Sequence, residues 1–140
     1  MVTQSEYQAA CAAAMPEKDL LASVREMAVT LGYLVYHTHD SRRSEGGWPD
    51  VAIVGHGRFL VRELKRQSGR LGRVTPEQKA WLAALADAGV DAGVWRPADL
   101  LSGQILAELK GGVVTGVGTK SSSVTVADVA TSVQYSGPRP

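Results

Sequence analysis

The segment GWPDVAIVGHGRFLVRELKRQSGR, Gly47 to Arg70, puts Asp50 at the head of one apolar run and Glu63 and Lys65 at the end of the next. A strand that served only to fill a core would not carry an acid and a base two residues apart. Side chains alternate along a strand, so Glu63 and Lys65 share a face. His56-Gly57 is short enough to join the two runs as a hairpin, which returns Asp50 to the neighbourhood of Glu63. Two adjacent carboxylates repel unless one is protonated or a cation lies between them. All-oxygen ligands suit Mg²⁺ or Mn²⁺. Such an ion polarises a phosphoryl oxygen and acidifies water, and a neighbouring lysine orients that water or stabilises the charge that develops. The chemistry expected of Asp50, Glu63 and Lys65 is therefore metal-assisted hydrolysis of a phosphate ester.

Glu17 is a further candidate. It precedes Leu20, Leu21 and Val24 by three, four and seven residues and so shares their inward face, whereas Glu26 falls on the opposite one. A helix packed on the sheet would carry Glu17 toward the same site. Equally, Glu17 is a first-turn acid favoured by the helix dipole. The formal net charge is only +1, but its distribution is uneven. Between Arg58 and Lys79 there are seven bases and two acids, and Arg42 and Arg43 precede Asp50. Clustered bases attract phosphates; the alternative is a solvated polar face.

The elements that must position these residues follow from pattern. Pro16 and Glu17 open a helix with Leu20, Leu21, Val24, Ala28 and Leu31 at helical spacing, and Gly32 closes it. Tyr33–Thr38 reads as a strand, DVAIVG and RFLVRELK as the hairpin, and VDAGVWRP as a fourth strand stopped by Pro97. Between the third and fourth strands, Thr75-Pro76 caps a helix with Trp81, Leu82, Leu85 and Ala88 on one stripe. That helix is a crossover, so the two strands should run parallel. ADLLSGQILAELK reads as one last helix. The expected architecture is α/β, an αβββαβ core with a mixed sheet flanked by helices. Residues 1–15 read as a helical extension, 16–110 as the domain and 111–140, rich in Gly, Ser, Thr and Val, as a weakly structured tail.

GWPD, the ELK of Glu63-Leu64-Lys65, Ser68-Gly69-Arg70-Leu71, TPEQKAWLAAL and VDAGVWRP occur in the order found in the VRR-NUC group of the PD-(D/E)XK nuclease superfamily. The chain resembles the short stand-alone members common in phages, over Pro16 to Leu109. An aspartate followed by E-x-K is frequent by chance; the whole ordered set is specific. The resemblance implies a restriction-endonuclease-like fold. It implies that Asp50, Glu63, the Leu64 main-chain carbonyl and Glu17 hold Mg²⁺ or Mn²⁺, with Lys65 as the catalytic lysine and Gln78 near the site and substrate. It implies hydrolysis of DNA to 5′-phosphate and 3′-hydroxyl ends, on branched or duplex substrates such as junctions or flaps, in phage-type replication, recombination or repair. Arg42, Arg43, Arg66, Ser68, Arg70 and Arg73 are expected at phosphates, and a homodimer would help so small a domain engage branched DNA.

Other features read more plainly. His37, His39 and His56 lack zinc-like spacing and are expected to be polar strand-end residues. Trp48 covers the site or packs before Pro49; Trp81 and Trp95 are expected to pack in the interior. Cys11 is the single cysteine, which excludes an internal disulfide and a cysteine zinc site. No apolar run approaches the roughly 20 residues that span a bilayer, and the start lacks a basic n-region, so a cytoplasmic protein is expected. The competing function class is a non-catalytic nucleic-acid-binding module on the same fold.

Overall fold

The structure is a computed structural model that describes residues 1–39, 43 and 45–111. Nine helices and strands occur among them: α1 (Gln4–Ala14), α2 (Glu17–Thr30), β1 (Leu34–His37), β2 (Val51–Gly55), β3 (Arg58–Leu64), α3 (Pro76–Asp87), β4 (Asp91–Trp95), α4 (Pro97–Leu101) and α5 (Gln104–Leu109). A short 3-10 turn lies at Arg70–Gly72. The sheet order is β1-β2-β3-β4, with the first three antiparallel and β3–β4 parallel through the α3 crossover. This is the expected mixed sheet, and β2–β3 is the expected hairpin. His56 and Gly57 at its tip both have positive φ (51° and 72°), the geometry that matches the twist of a two-residue hairpin.

Register divides the sheet into two faces. Val51, Ile53, Leu60, Leu64 and Trp95 meet Leu20, Val24 and Ala28 of α2 and Ile105 and Leu109 of α5, and together they form the core. Period-2 alternation against a 3.6-residue stripe is all this closure requires. Burying a large aliphatic side chain there contributes roughly 1.5–3 kcal/mol. The opposite face carries Ala52, Val61 and Glu63, in register with Tyr36, Ala92 and Val94 of the neighbouring strands. There α3 packs against β4, while Leu34, Tyr36, Val54 and Phe59 stay exposed.

Some expectations need correction. Pro16 caps α2 rather than opening it, with Glu17 the first helical residue. The last helix is two helices, because Gly103 adopts a left-handed conformation between α4 and α5. No residue of α3 is buried, so Trp81 is not interior; α3 instead lies on the sheet as a half-covered lid over β4. Trp95 is interior, 2% exposed. α1 begins with a Thr3–Glu6 capping box and buries Ala12. The tail assigned to 111–140 lies outside the described residues beyond Gly111.

Candidate active site

β3 ends where the site begins. Arg62 and Glu63 are consecutive, and alternation sends them to opposite faces, yet both are buried. Asp50 sits one residue before β2, and extending the Val51↔Arg62 register by one step puts it opposite Glu63. The backbone ladder stops there. Asp50 Oδ2 continues it by accepting from the Leu64 amide at 2.8 Å.

Glu63 is 2% exposed. Its Oε1 accepts from Gln78 Nε2 at 2.7 Å and lies 3.4 Å from Lys65 Nζ. Its Oε2 is buried and has no hydrogen-bond partner. Burial first, and then the negative charge of Asp50, push the Glu63 carboxyl up to about 8, against the opposing pull of Lys65. Lys65 is itself buried, and its amide donates to Trp95 O at 3.1 Å, which fixes the end of β3 to β4.

Gln78 belongs to α3 and has two tasks. Its Oε1 accepts from the Thr75 amide and its own amide donates to Thr75 Oγ1, closing a capping box, while Nε2 reaches Glu63. The start of α3 is therefore tied to the acid. Glu17 at the start of α2 is half-buried, and burial raises its carboxyl above the ordinary range. Lys65 and the Arg66 amide pull that carboxyl down and Asp50 pushes it up, so Glu17 is within electrostatic reach of the same cluster. Asp50, Glu63, Lys65 and Gln78 are brought together by direct contacts, and Glu17 stands beside them. Among the described residues, no three His, Cys, Asp or Glu side chains converge as a ready cage. The Asp50 and Glu63 carboxylates are hard oxygen donors, which suits an ion that keeps several waters, as Mg²⁺ does. The orphaned Oε2 next to Asp50 fits a cation in that position.

The basic segment is less uniform than its charge count implied. Arg62 points into the core face, where it donates to Asp91 Oδ1 at 2.8 Å, reaches Glu108 Oε1 at 3.3 Å and lies over the Trp95 ring. Arg58 donates to Tyr33 Oη and Leu109 O. These two bases serve the fold. Ser68, Arg70 and Arg73 are exposed and Arg66 is half-buried, all in the stretch after Lys65; Arg43 is exposed in the loop before Asp50. Arg42 lies outside the described residues. Sequence reasoning missed Arg96, which donates to Arg66 O at 2.7 Å and Gly72 O at 2.6 Å and so holds the Arg-rich turn; nothing in its local pattern marked it. His37 and His39 meet edge to face at 4.8 Å. Burial and the His39 charge hold His37 below its ordinary range.

The loop that delivers Asp50 is fastened to α3. Gly47 has φ 93°, and a Cβ there would come within 2.6 Å of the Glu77 backbone, so only glycine fits. Trp81 Nε1 donates to Gly46 O at 3.1 Å, and the Trp48 and Trp81 rings meet at 5.1 Å, nearly perpendicular.

A solved structure described as a VRR_NUC domain superposes on this chain with a TM-score of 0.53 at 21% identity, covering 64% of this chain and 94% of that one. No family profile and no curated protein matches the chain. The fold is thus that of a VRR-NUC domain structure, as the motif order implied. No described helix is long and apolar enough to cross a membrane.

Proposed function

We propose that this protein is a Mg²⁺- or Mn²⁺-dependent nuclease that hydrolyses phosphodiester bonds of DNA. The observation that carries this reading is the buried, unpartnered Oε2 of Glu63 beside Asp50 and Lys65. A domain with no use for a cation would gain nothing by burying repelling acids. The VRR-NUC fold and the surrounding bases support the same reading.

Asp50, Glu63 and the Leu64 carbonyl would hold the ion, which when bound supplies Lewis-acid polarisation of the phosphate and acidifies water. Asp50 is anchored for this by the Leu64 amide, and Glu63 by Gln78. Lys65, held near Glu63 Oε1, orients the attacking water or meets the charge developing on the phosphate. Glu17 adds negative charge from the side of α2. Arg66, Ser68, Arg70 and Arg73 lie along the exit from β3, where a phosphate backbone would run, with Arg43 on the opposite loop. Flaps or junctions as substrates and a role in phage-type replication, recombination or repair are what the resemblance suggests, and a homodimer would help so small a domain engage branched DNA.

The test is cleavage of labelled linear, flapped and four-way-junction DNA with Mn²⁺, Mg²⁺ or EDTA, wild type beside Glu63→Ala. Metal-dependent cutting lost in the variant is expected. Binding without cutting by the wild type would instead make the protein a non-catalytic nucleic-acid module.

A further inference from the structure

The molecule has three tryptophans, and they are held in different ways. Trp95 is what a packing tryptophan looks like in this fold: 2% exposed, Nε1 donating to Glu108 at 2.9 Å and the Arg62 guanidinium 4.8 Å from its ring centroid. Trp48 and Trp81 are only half-buried, and neither belongs to the core. Trp81 spends its indole N–H on Gly46 O. None of the described residues accepts from the indole N–H of Trp48.

Position makes this pair more than cover. Trp48 stands two residues before Asp50, within roughly 7 Å of extended chain. Trp81 lies three residues after Gln78, hence on the same side of α3 as the residue that holds Glu63. One tryptophan arrives on each of the two segments that build the site, and the rings meet at 82°. The arrangement is rigid before any ligand arrives, because Gly47 abuts the Glu77 backbone and Gly46 is bonded to Trp81. Half-buried, the Trp48 ring keeps part of its uncharged aromatic surface open next to a phosphate-handling site. Such a face takes a nucleobase. A base inside a duplex already has both faces stacked and its edge paired; an unpaired base has not.

We infer that Trp48, braced by Trp81, is a stacking platform for an unpaired nucleobase adjoining the phosphate at Asp50 and Glu63, and so a specificity-determining residue that favours single-stranded DNA at the cleavage point. This rests on the nuclease reading for its substrate but is tested through binding. Wild type, Trp48→Ala and Trp48→Phe are titrated in EDTA with an oligothymidylate and with a blunt duplex of equal length, following intrinsic tryptophan fluorescence and anisotropy of a label on the DNA. The wild type is expected to show tryptophan quenching by the oligothymidylate. Trp48→Ala should weaken that binding by about tenfold and leave duplex binding unchanged, while Trp48→Phe, which keeps a stacking ring, retains most of it. Equal loss on both ligands, no loss, or failure of phenylalanine to rescue overturns the platform, as does a wild type that binds neither ligand. Cleavage in Mn²⁺ is scored separately. A wild type that cuts while Trp48→Ala binds normally refutes the platform alone; a wild type that selects single strands through Trp48 without cutting refutes the nuclease alone.

Discussion

Arg62 and Glu63 are neighbours on β3, both almost fully buried, and their surroundings are opposites. The arginine has Asp91, Glu108, two main-chain carbonyls and an aromatic face. The glutamate has one amide donor, one lysine, a second carboxylate and an oxygen with no partner. A one-residue step along a strand thus separates a cation whose charge is matched from a carboxyl whose ionised form is not. A fold gains from the first arrangement only when it is complete. The second makes sense where something arrives to complete it.

The contrast breaks most sharply in activity. Glu63→Gln keeps the shape and removes the charge, and cleavage in Mn²⁺ should fall by about a thousandfold or more with an unchanged circular dichroism spectrum. Arg62→Ala should do the reverse. It leaves Glu108 without its cation and Asp91 with only the longer Arg58 pair, and should lower stability by about 1–3 kcal/mol, read from urea unfolding. Activity per folded molecule should survive.

The pH dependence of the metal-free protein sharpens the same contrast. The Glu63 carboxyl sits at about 8 in the folded chain against an ordinary 4.5. Between those values the folded state holds a proton that the unfolded state releases, so stability is full below 4.5 and is lost as pH rises through 8. Glu63→Gln should flatten that slope in thermal melts recorded across the range, and Mn²⁺ should offset it in the wild type. The smallest effect belongs to Gln78. Gln78→Ala removes the side-chain half of the α3 capping box and costs about 1 kcal/mol. It also leaves Glu63 Oε1 with Lys65 alone, so a modest fall in kcat accompanies the shift in midpoint.

Much of this was legible in the residues. Alternation and a two-residue turn suffice to bring Asp50, Glu63 and Lys65 together, and the crossover helix fixes the parallel fourth strand. What misled was counting charge without assigning faces. Arg62 shares parity with Leu60 and Leu64, so its inward aim was in the pattern, but its acceptors on β4 and α5 are distant in sequence. Gln78, in the first turn of α3, was placed near the site by the resemblance alone, because its bond to Glu63 depends on tertiary docking. The stripe of α3 suggested an interior helix because spacing cannot say how much of a face the sheet covers. The break at Gly103 was one left-handed residue in an otherwise helical pattern.

The bond from the Leu64 amide to Asp50 has a use beyond holding a side chain. That proton is donated to a carboxylate, so its nuclear magnetic resonance frequency and its exchange with deuterium depend on the charge Asp50 carries. A single labelled leucine would therefore serve as an internal gauge of the site, readable while a cation or a nucleic acid strand is titrated in and before any bond is cut.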